Sequence, residues 1–306
     1  CARVGCMPSK ILISTANRMH EIQQTEQLGL KVDARIDTSG VMPYLRQLRD
    51  RFTSATLKDV ASWSKEHKIS GQAQFIDSQT IVVNQTHYQA KSFIIAVGST
   101  PNMNKKYQDE LGDRYITSDQ IFELETLPQS LAVIGSGVIA LELAQAMQRL
   151  NVKTTVFARS KKVGSLTSSY LQTLAQQELS KELNFKFEIL PTSIKADNNK
   201  VAITFNEHGQ EQSIEVDYLL SATGRSSHLD TLHLEQIEST FKDLKQLPVN
   251  LQTKQLGKYP IFIIGDAYTT TPIQHEAAHE GREVIDNCLN YPQINSLKTL
   301  KPLSIV

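Results

Sequence analysis

The stretch that most constrains this chain is residues 131–157, where three requirements meet in a fixed order. Leu131-Ala132-Val133-Ile134 is an apolar run ending in a glycine-rich turn, Gly135-Ser136-Gly137-Val138-Ile139-Ala140. Leu141 to Leu150 then carries helical periodicity, and Val152 to Phe157 reads as a second strand. Strand, tight turn, helix and returning strand make a βαβ unit, which places both strands in a parallel sheet. The glycine spacing adds chemistry. Gly135 permits the tight turn, Gly137 lets the backbone approach a pyrophosphate, and Ala140 is an accepted small residue at the third position. The amides near Val138 and Ile139 form the positive end of the helix, an anion site. An α/β fold that binds a dinucleotide is therefore expected.

The end of the second strand bears on which dinucleotide. An NAD site wants an acidic residue about twenty positions beyond the glycines to hold the ribose 2′-hydroxyl, whereas an arginine accommodates a 2′-phosphate. This chain has Ala158-Arg159-Ser160-Lys161-Lys162, without an acid, so Arg159 favours NADPH. Lys161 and Lys162 read equally as surface charges.

A second cluster of chemistry lies at Cys1-Ala2-Arg3-Val4-Gly5-Cys6-Met7-Pro8-Ser9-Lys10. Two cysteines five positions apart on a regular helix would point about 140° away from each other, so pairing them needs an irregular turn. Gly5 tolerates such a turn, and Pro8 suits the first turn of a helix. Cys6 then lies at the positive helix end, which favours a thiolate, and Lys10 follows one turn later on the same face. On these residues alone a redox-active dithiol, a structural bridge and two unpaired thiols all remain open.

The ten residues resemble the active-site peptide of the flavin-dependent pyridine nucleotide-disulfide oxidoreductases, C-x-N-x-G-C-x-P-S-K, most of all in its dihydrolipoamide dehydrogenase branch. Arg3 stands where that pattern has Asn, placing a positive charge beside the sulfurs. Three further elements match in order. Residues 92–102 run as a buried strand into Val97-Gly98-Ser99-Thr100-Pro101, similar to the family's A-T-G-S-x-P element that closes over the flavin nucleotide, with Val97 at the Thr position. Asp217 to His228 is similar to A-T-G-R-x-P-N, with Gly224 at the nicotinamide end and Ser227 and His228 replacing Pro and Asn. Ile261-Phe262-Ile263-Ile264-Gly265-Asp266 puts a carboxylate at the end of a buried strand, where open α/β sheets bind ligands.

The resemblance implies FAD together with NADP or NAD. It implies that Cys6 faces the flavin, that Cys1 meets substrate, and that Lys10 pairs with Glu142 between flavin and nicotinamide. Asp266 is implied to hold the ribityl chain, and Pro272-Ile273-Gln274-His275 to open a helix whose amide end points at the flavin ring. The implied architecture is a Rossmann-like nicotinamide domain, residues 126–246, inserted in a flavin domain formed by 1–125 and 247–306. The implied substrate is a small dithiol or disulfide, lipoamide first. Glutathione-type disulfides and mercuric ion are the alternatives, and Arg159 favours them because lipoamide dehydrogenation usually runs on NAD. In full length such an enzyme is a homodimer, with a His-Glu acid-base pair contributed by the partner's C-terminal domain.

The remaining chain reads more simply. A helix is expected over 8–27, with Ile11, Leu12, Thr15, Met19 and Ile22 in register and Gly29 ending it. A second is expected over 43–67. Its buried stripe is Leu45, Leu48, Phe52, Leu57, Val60 and Trp63, and its charges, Arg46, Arg49, Asp50, Arg51, Lys58 and Asp59, form a solvated face. Short strands are expected at 73–75, 80–83, 185–189, 201–205 and 214–216, with turns at Asp77-Ser78 and Asn84-Gln85 and a helix over 165–184. His275 and His279 are spaced i, i+4 but lack a third ligand, so no metal site is expected, and the solitary Cys288 packs in its helix.

Charge excludes some classes. With 32 basic and 32 acidic residues, nothing points to nucleic acid or an anionic membrane, and no apolar run reaches the roughly 18 residues that span a bilayer. Three cysteines, two of them clustered, suit a reducing cytoplasm better than a secreted disulfide framework. At 306 residues the chain is long enough for two domains. It opens on the thiol motif, without an initiator Met, a signal peptide or a preceding glycine-rich loop, and Ser304-Ile305-Val306 reads as a strand beginning. An internal piece of a longer protein is expected, one that binds FAD poorly and turns over little without the first FAD loop and the C-terminal dimerisation domain.

Overall fold

The computed structural model describes residues 1–269 and 272–298; the strand expected at Ser304–Val306 lies outside them. In chain order the elements are α1 (Cys6–Gln24), α2 (Val41–Ser62), β1 (Gln74–Asp77), β2 (Thr80–Val83), β3 (Thr86–Gln89), β4 (Phe93–Ile95), β5 (Ser99–Pro101), α3 (Lys105–Leu111), β6 (Tyr115–Thr117), β7 (Ser130–Ile134), α4 (Val138–Arg149) and β8 (Lys153–Ala158). They continue with α5 (Ser169–Glu182), β9 (Asn184–Phe187), β10 (Ser193–Asp197), β11 (Lys200–Glu207), β12 (Gln210–Val216), β13 (Tyr218–Ser221), β14 (Arg225–Ser227), β15 (Ile261–Ile263) and α6 (Gln274–Asn290). Contacts divide the chain into two compact units. One holds Cys1–Val60 and Pro101–Gly224; the other holds Ala61–Thr100 and the described chain from Arg225 onward.

The first unit is built on a parallel sheet of order β6-β13-β7-β8-β9. A parallel sheet must be covered on both faces, and side chains that alternate along each strand do this. Leu131 and Val133 of β7, Val156 of β8 and Leu220 of β13 join Leu12, Ala16, Leu143 and Met147 from α1 and α4. Their neighbours Ala132, Phe157 and Leu219 enter a separate cluster with Val201, Ile203, Phe205 and Val216 of the antiparallel β10-β11-β12 meander. Helices thus cover one face and the meander covers the other. Truncating a fully buried member such as Leu143 to Ala would cost about 2–5 kcal/mol.

The second unit contains the β1-β2-β3 meander and the parallel pair β4 and β15. Asn84 and Gln85 join β2 to β3 with φ of 48° and 68°, the geometry of the type I′ turn that matches strand twist. Phe75, Ile95, Leu234, Phe241, Leu256, Ile261 and Ile263 form its core, and α6 lays Val284 against Phe262 and Ile264. Among the described residues no helix is long and apolar enough to cross a membrane.

Several expectations need correction. The first helix starts at Cys6 rather than at residue 8, and it ends at Gln24 in a 3-10 turn, Thr25–Leu28, that Gly29 closes at φ 79°. The helix after the glycine turn starts at Val138, three residues before the apolar periodicity. Of the stripe expected along the second helix, only Leu45 is buried and Leu48 half-buried. Phe52, Leu57 and Val60 are 45%, 63% and 38% exposed, and Trp63, 53% exposed, lies beyond the end of α2 at Ser62. Arg49, expected on the solvated face, is 5% exposed because two carboxylates meet it.

Candidate redox and dinucleotide sites

Cys1 Sγ lies 3.4 Å from Cys6 Sγ, both as free thiols. The irregular loop that brings them together is closed by backbone: the Met7 amide donates to the Cys1 carbonyl at 3.2 Å, and that of Ser9 to Gly5 at 3.1 Å. Glycine is needed at position 5 for space. Its φ is −133°, but a Cβ there would stand 2.9 Å from Cys1 Cα and 3.2 Å from Cys1 Sγ. The two sulfurs are unequal. Cys1 is exposed on the loop, while Cys6 is half-buried as the first residue of α1, at the positive end of its dipole.

One turn on, Lys10 Nζ lies 2.5 Å from Glu142 Oε1 on α4. The other carboxylate oxygen, Oε2, accepts the Ser9 hydroxyl at 3.2 Å. Ser9 was not singled out from sequence, because only the packing of α1 on α4 brings it to Glu142. Arg3 reaches Glu123 Oε1 at 3.4 Å, and the same oxygen takes Arg49 Nη1 at 2.8 Å. Burial works against the Arg49 charge, yet hydrogen bonds to Asp50 and Glu123 outweigh it and hold the guanidinium pKa above its ordinary value. Arg3 is therefore tied to a carboxylate that a buried arginine already neutralises.

The glycine turn joins β7 to α4. Gly135 has φ 125°, and a Cβ on it would lie 2.3 Å from the Ala222 carbonyl oxygen just beyond β13, so no other residue fits. Above Gly137 the Cβ position is open, with nothing within 4 Å. No side chain caps α4, leaving its first-turn amides at Val138 and Ile139 facing that space, while Ala140 is fully buried in the helix–sheet contact. Unoccupied amide donors beside open space fit a pyrophosphate. Arg159 follows β8, exposed and without a hydrogen bond or ion pair among the described residues, whereas Lys161 is paired with Glu188 at 3.5 Å. Gly224, at φ 113°, accepts the Asn102 amide at 2.9 Å beyond the end of β13.

The second unit holds the remaining expected residues. Asp266 follows β15 in a 3-10 turn, where Ser99 Oγ donates to its Oδ2 at 3.4 Å. Ser99 is itself gripped by Arg225, Nε to Oγ at 2.9 Å and Nη2 to its carbonyl at 2.7 Å. Ser227 and His228, the departures from the family pattern, close this loop. The Ser227 hydroxyl donates to the Ala267 carbonyl at 2.7 Å, and the His228 amide to Gly98 at 3.1 Å. Val97 packs on the core, and Gly98, at φ 68°, leaves open space above it. Beyond Pro272, α6 begins at Gln274 with Ile273 as an N-cap that makes no side-chain bond. His275 Nε2 is buried and makes no hydrogen bond among the described residues, with Glu276 Oε1 3.8 Å away. A carboxylate that can accept hydroxyls, an uncapped helix start and a buried ring nitrogen without a hydrogen bond fit a polar, hydroxylated cofactor. His279 Nε2 lies 2.5 Å from the Lys298 carbonyl oxygen.

Comparison with known proteins gives these geometries a family. The model of the pyridine nucleotide-disulphide oxidoreductases matches residues 1–281. The chain belongs to that family. It is 28% identical over 295 residues to a dihydrolipoyl dehydrogenase of Staphylococcus aureus, covering 94% of this chain and 62% of the relative. It is equally 28% identical over 295 residues to a mercuric reductase of Lysinibacillus sphaericus, covering 94% of this chain and 53% of the relative. The chain thus spans less than two thirds of these relatives' length. Among solved structures, LpdA from Mycobacterium tuberculosis is similar with a TM-score of 0.75 at 19% identity, over 97% of this chain and 65% of that one. The HOCl-induced flavoprotein disulfide reductase RclA from Escherichia coli is similar with a TM-score of 0.70 at 19% identity, over 97% and 64%. These structures share the α/β fold with its parallel sheet.

Proposed function

We propose that the chain carries the redox and nucleotide-binding part of an FAD- and NAD(P)-dependent disulfide oxidoreductase acting on a small dithiol or disulfide of the lipoamide type. The observation that supports it most is the 3.4 Å approach of two free thiols, followed one helical turn later by a lysine held to a glutamate. Residues 126–246 form the nicotinamide domain, set between flavin-domain segments 1–125 and 247–306. Gly135, Gly137, Val138, Ile139, Ala140, Arg159 and Gly224 serve the nicotinamide dinucleotide. Val97, Gly98, Ser99, Asp266 and Pro272 to His275 serve FAD, which supplies two-electron exchange between the nicotinamide and the sulfurs.

The residues' own chemistry balances as thiol–disulfide exchange. Exposed Cys1, as thiolate, attacks a substrate sulfur; the substrate S–S bond breaks and one thiol leaves with a proton. Cys6 then attacks Cys1 in the mixed disulfide, releasing the second thiol and leaving Cys1 and Cys6 joined. Two electrons and two protons have passed to substrate, and the reverse sequence oxidises a dithiol. Lys10 stabilises negative charge on Cys6 from one turn away, and Glu142, fixed by Ser9, holds the ammonium there. Homodimerisation and a cytoplasmic setting complete the reading, the latter supported by a thiol pair that has to be kept reducible.

Replacing Cys6 with Ser tests this directly: disulfide-linked turnover of the full-length protein falls to background, and surviving turnover overturns the dithiol route. A second substrate reading rests on Arg159. An arginine beyond β8 that has no partner among the described residues suits NADPH, and with it a glutathione-type disulfide or mercuric ion. Comparing reduction of lipoamide, a glutathione-type disulfide and mercuric ion by the full-length protein decides between them.

A further inference from the structure

Two ionisable side chains of the second unit are buried, and nothing in the proposed chemistry uses them. Lys254 Nζ and Glu280 Oε1 lie 2.5 Å apart, with side chains only 10% and 11% exposed. Burying an ion pair carries a desolvation cost that an apolar pair of the same size avoids, so its partners show what it does. The second oxygen, Glu280 Oε2, accepts the backbone amide of Gly265 at 2.7 Å. Gly265 has φ 59°, and it is the residue that turns β15 into Asp266. Lys254 meets the same strand through its backbone, its carbonyl accepting the Ile263 amide at 2.9 Å. One residue therefore grips the strand before Ile264 by its backbone, and after Ile264 through its side chain and Glu280. Asn287, on the same face of α6, adds a bond from its Nδ2 to the Thr253 carbonyl at 3.4 Å.

We infer that Lys254 and Glu280 are positioning residues for Asp266: the ion pair holds the Gly265 amide, and so sets the direction in which the Asp266 carboxylate is presented to the hydroxyls of its ligand. The inference rests on the reading of Asp266 as an FAD-ribityl residue. A glutamine at 280 could still accept the Gly265 amide, but only beside a neutral neighbour, because a lone buried ammonium or carboxylate must find water or a proton. Removing the Lys254 charge alone frees Glu280 to turn away from Gly265. Removing both charges together, with Met filling the lysine stem's volume, keeps the acceptor and the packing.

The test titrates FAD into full-length protein by quenching of flavin fluorescence, comparing wild type with Asp266→Ala, Lys254→Met, Glu280→Gln and the Lys254→Met/Glu280→Gln double variant. Amide exchange of the 261–267 segment in the FAD-free proteins is the second readout. Each single variant at 254 or 280 is expected to weaken FAD by about tenfold or more and to speed exchange at Gly265, and the double variant to return within about threefold of wild type. General loosening of the fold would give no such recovery. Lys254→Met and Glu280→Gln that both bind within about twofold of wild type overturn the inference, as does a double variant no better than the singles. If one single variant fails to fold, the other and the double variant give the same comparison. Asp266→Ala binding like wild type removes Asp266 from the ligand and the inference with it, whereas intact binding in the 254 and 280 variants alone removes only the positioning pair.

Discussion

Gly5→Ala makes the thiol pair harder to oxidise. The added Cβ would stand 2.9 Å from Cys1 Cα, a backbone atom, while ordinary contact begins near 3.4 Å. Cys1 must therefore retreat by about half an ångström. In the dithiol form the retreat is cheap, because Cys1 is exposed on its loop and its sulfur only touches Cys6 at 3.4 Å. The disulfide form has no such freedom: it requires sulfurs about 2.05 Å apart and a narrow range of Cα separation, and departures store strain. A strain of about 1–2 kcal/mol confined to the oxidised form raises the reduction potential by roughly 20–45 mV, at about 30 mV per 1.4 kcal/mol for two electrons. The assay equilibrates wild type and Gly5→Ala in graded glutathione buffers, alkylates free thiols and counts labels on Cys1 and Cys6 by mass spectrometry. An unchanged or lower potential would refute the steric account of Gly5.

Two further outcomes follow from single contacts. Arg159→Glu is expected to move the NADPH:NADH preference of kcat/KM towards NADH by at least about tenfold, because it exchanges a partner for the 2′-phosphate for one that repels it; an unmoved ratio sinks that assignment. Glu182 is the site of a pH effect. The hydrogen bonds from Arg149, at 2.8 Å to each carboxylate oxygen, outweigh burial and hold its pKa below the usual carboxylate range. Stability from the ionised form is thus present above the unfolded glutamate pKa of about 4.3 and is lost as pH falls through the lower folded value. Urea unfolding should show Glu182→Gln less stable by about 1 kcal/mol at pH 7, with the gap closing in acid, and a pH-independent gap contradicts this.

What could be seen in the sequence was local. The glycine turn, its flanking strands and the positions of Asn84 and Gln85 follow from backbone constraints within a few residues, and each lies where those constraints put it. Periodicity marks the second helix as amphipathic but cannot say how far the core reaches, and Phe52, Leu57 and Trp63 of its apolar stripe stay exposed among the described residues. The burial of Arg49 depends on Glu123, 74 positions away, and the hold of Ser9 on Glu142 spans 133. No spacing rule reaches that distance. Gly5 does adopt a backbone that is neither helical nor extended, φ −133° and ψ −121°, but its second role, leaving room beside Cys1, has no local signal. Lys254 and Glu280 had no sequence signal at all, since an isolated lysine and a helical glutamate read as surface charges until the fold pairs them and brings Gly265 to the second oxygen of Glu280.

The central claim is that Cys1 and Cys6 form one redox pair fed by a nicotinamide through FAD. It is tested most directly by trapping thiols. Oxidised full-length protein with FAD bound is mixed anaerobically with NADPH or NADH, quenched with an alkylating agent and mapped by mass spectrometry. The account predicts that Cys1 and Cys6 become labelled together, two per chain, while Cys288 labelling stays constant, and that Cys6→Ser leaves Cys1 unresponsive to the nucleotide. Cys1 and Cys6 that stay unlabelled after nucleotide is added, or a Cys1 that responds without Cys6, would contradict it.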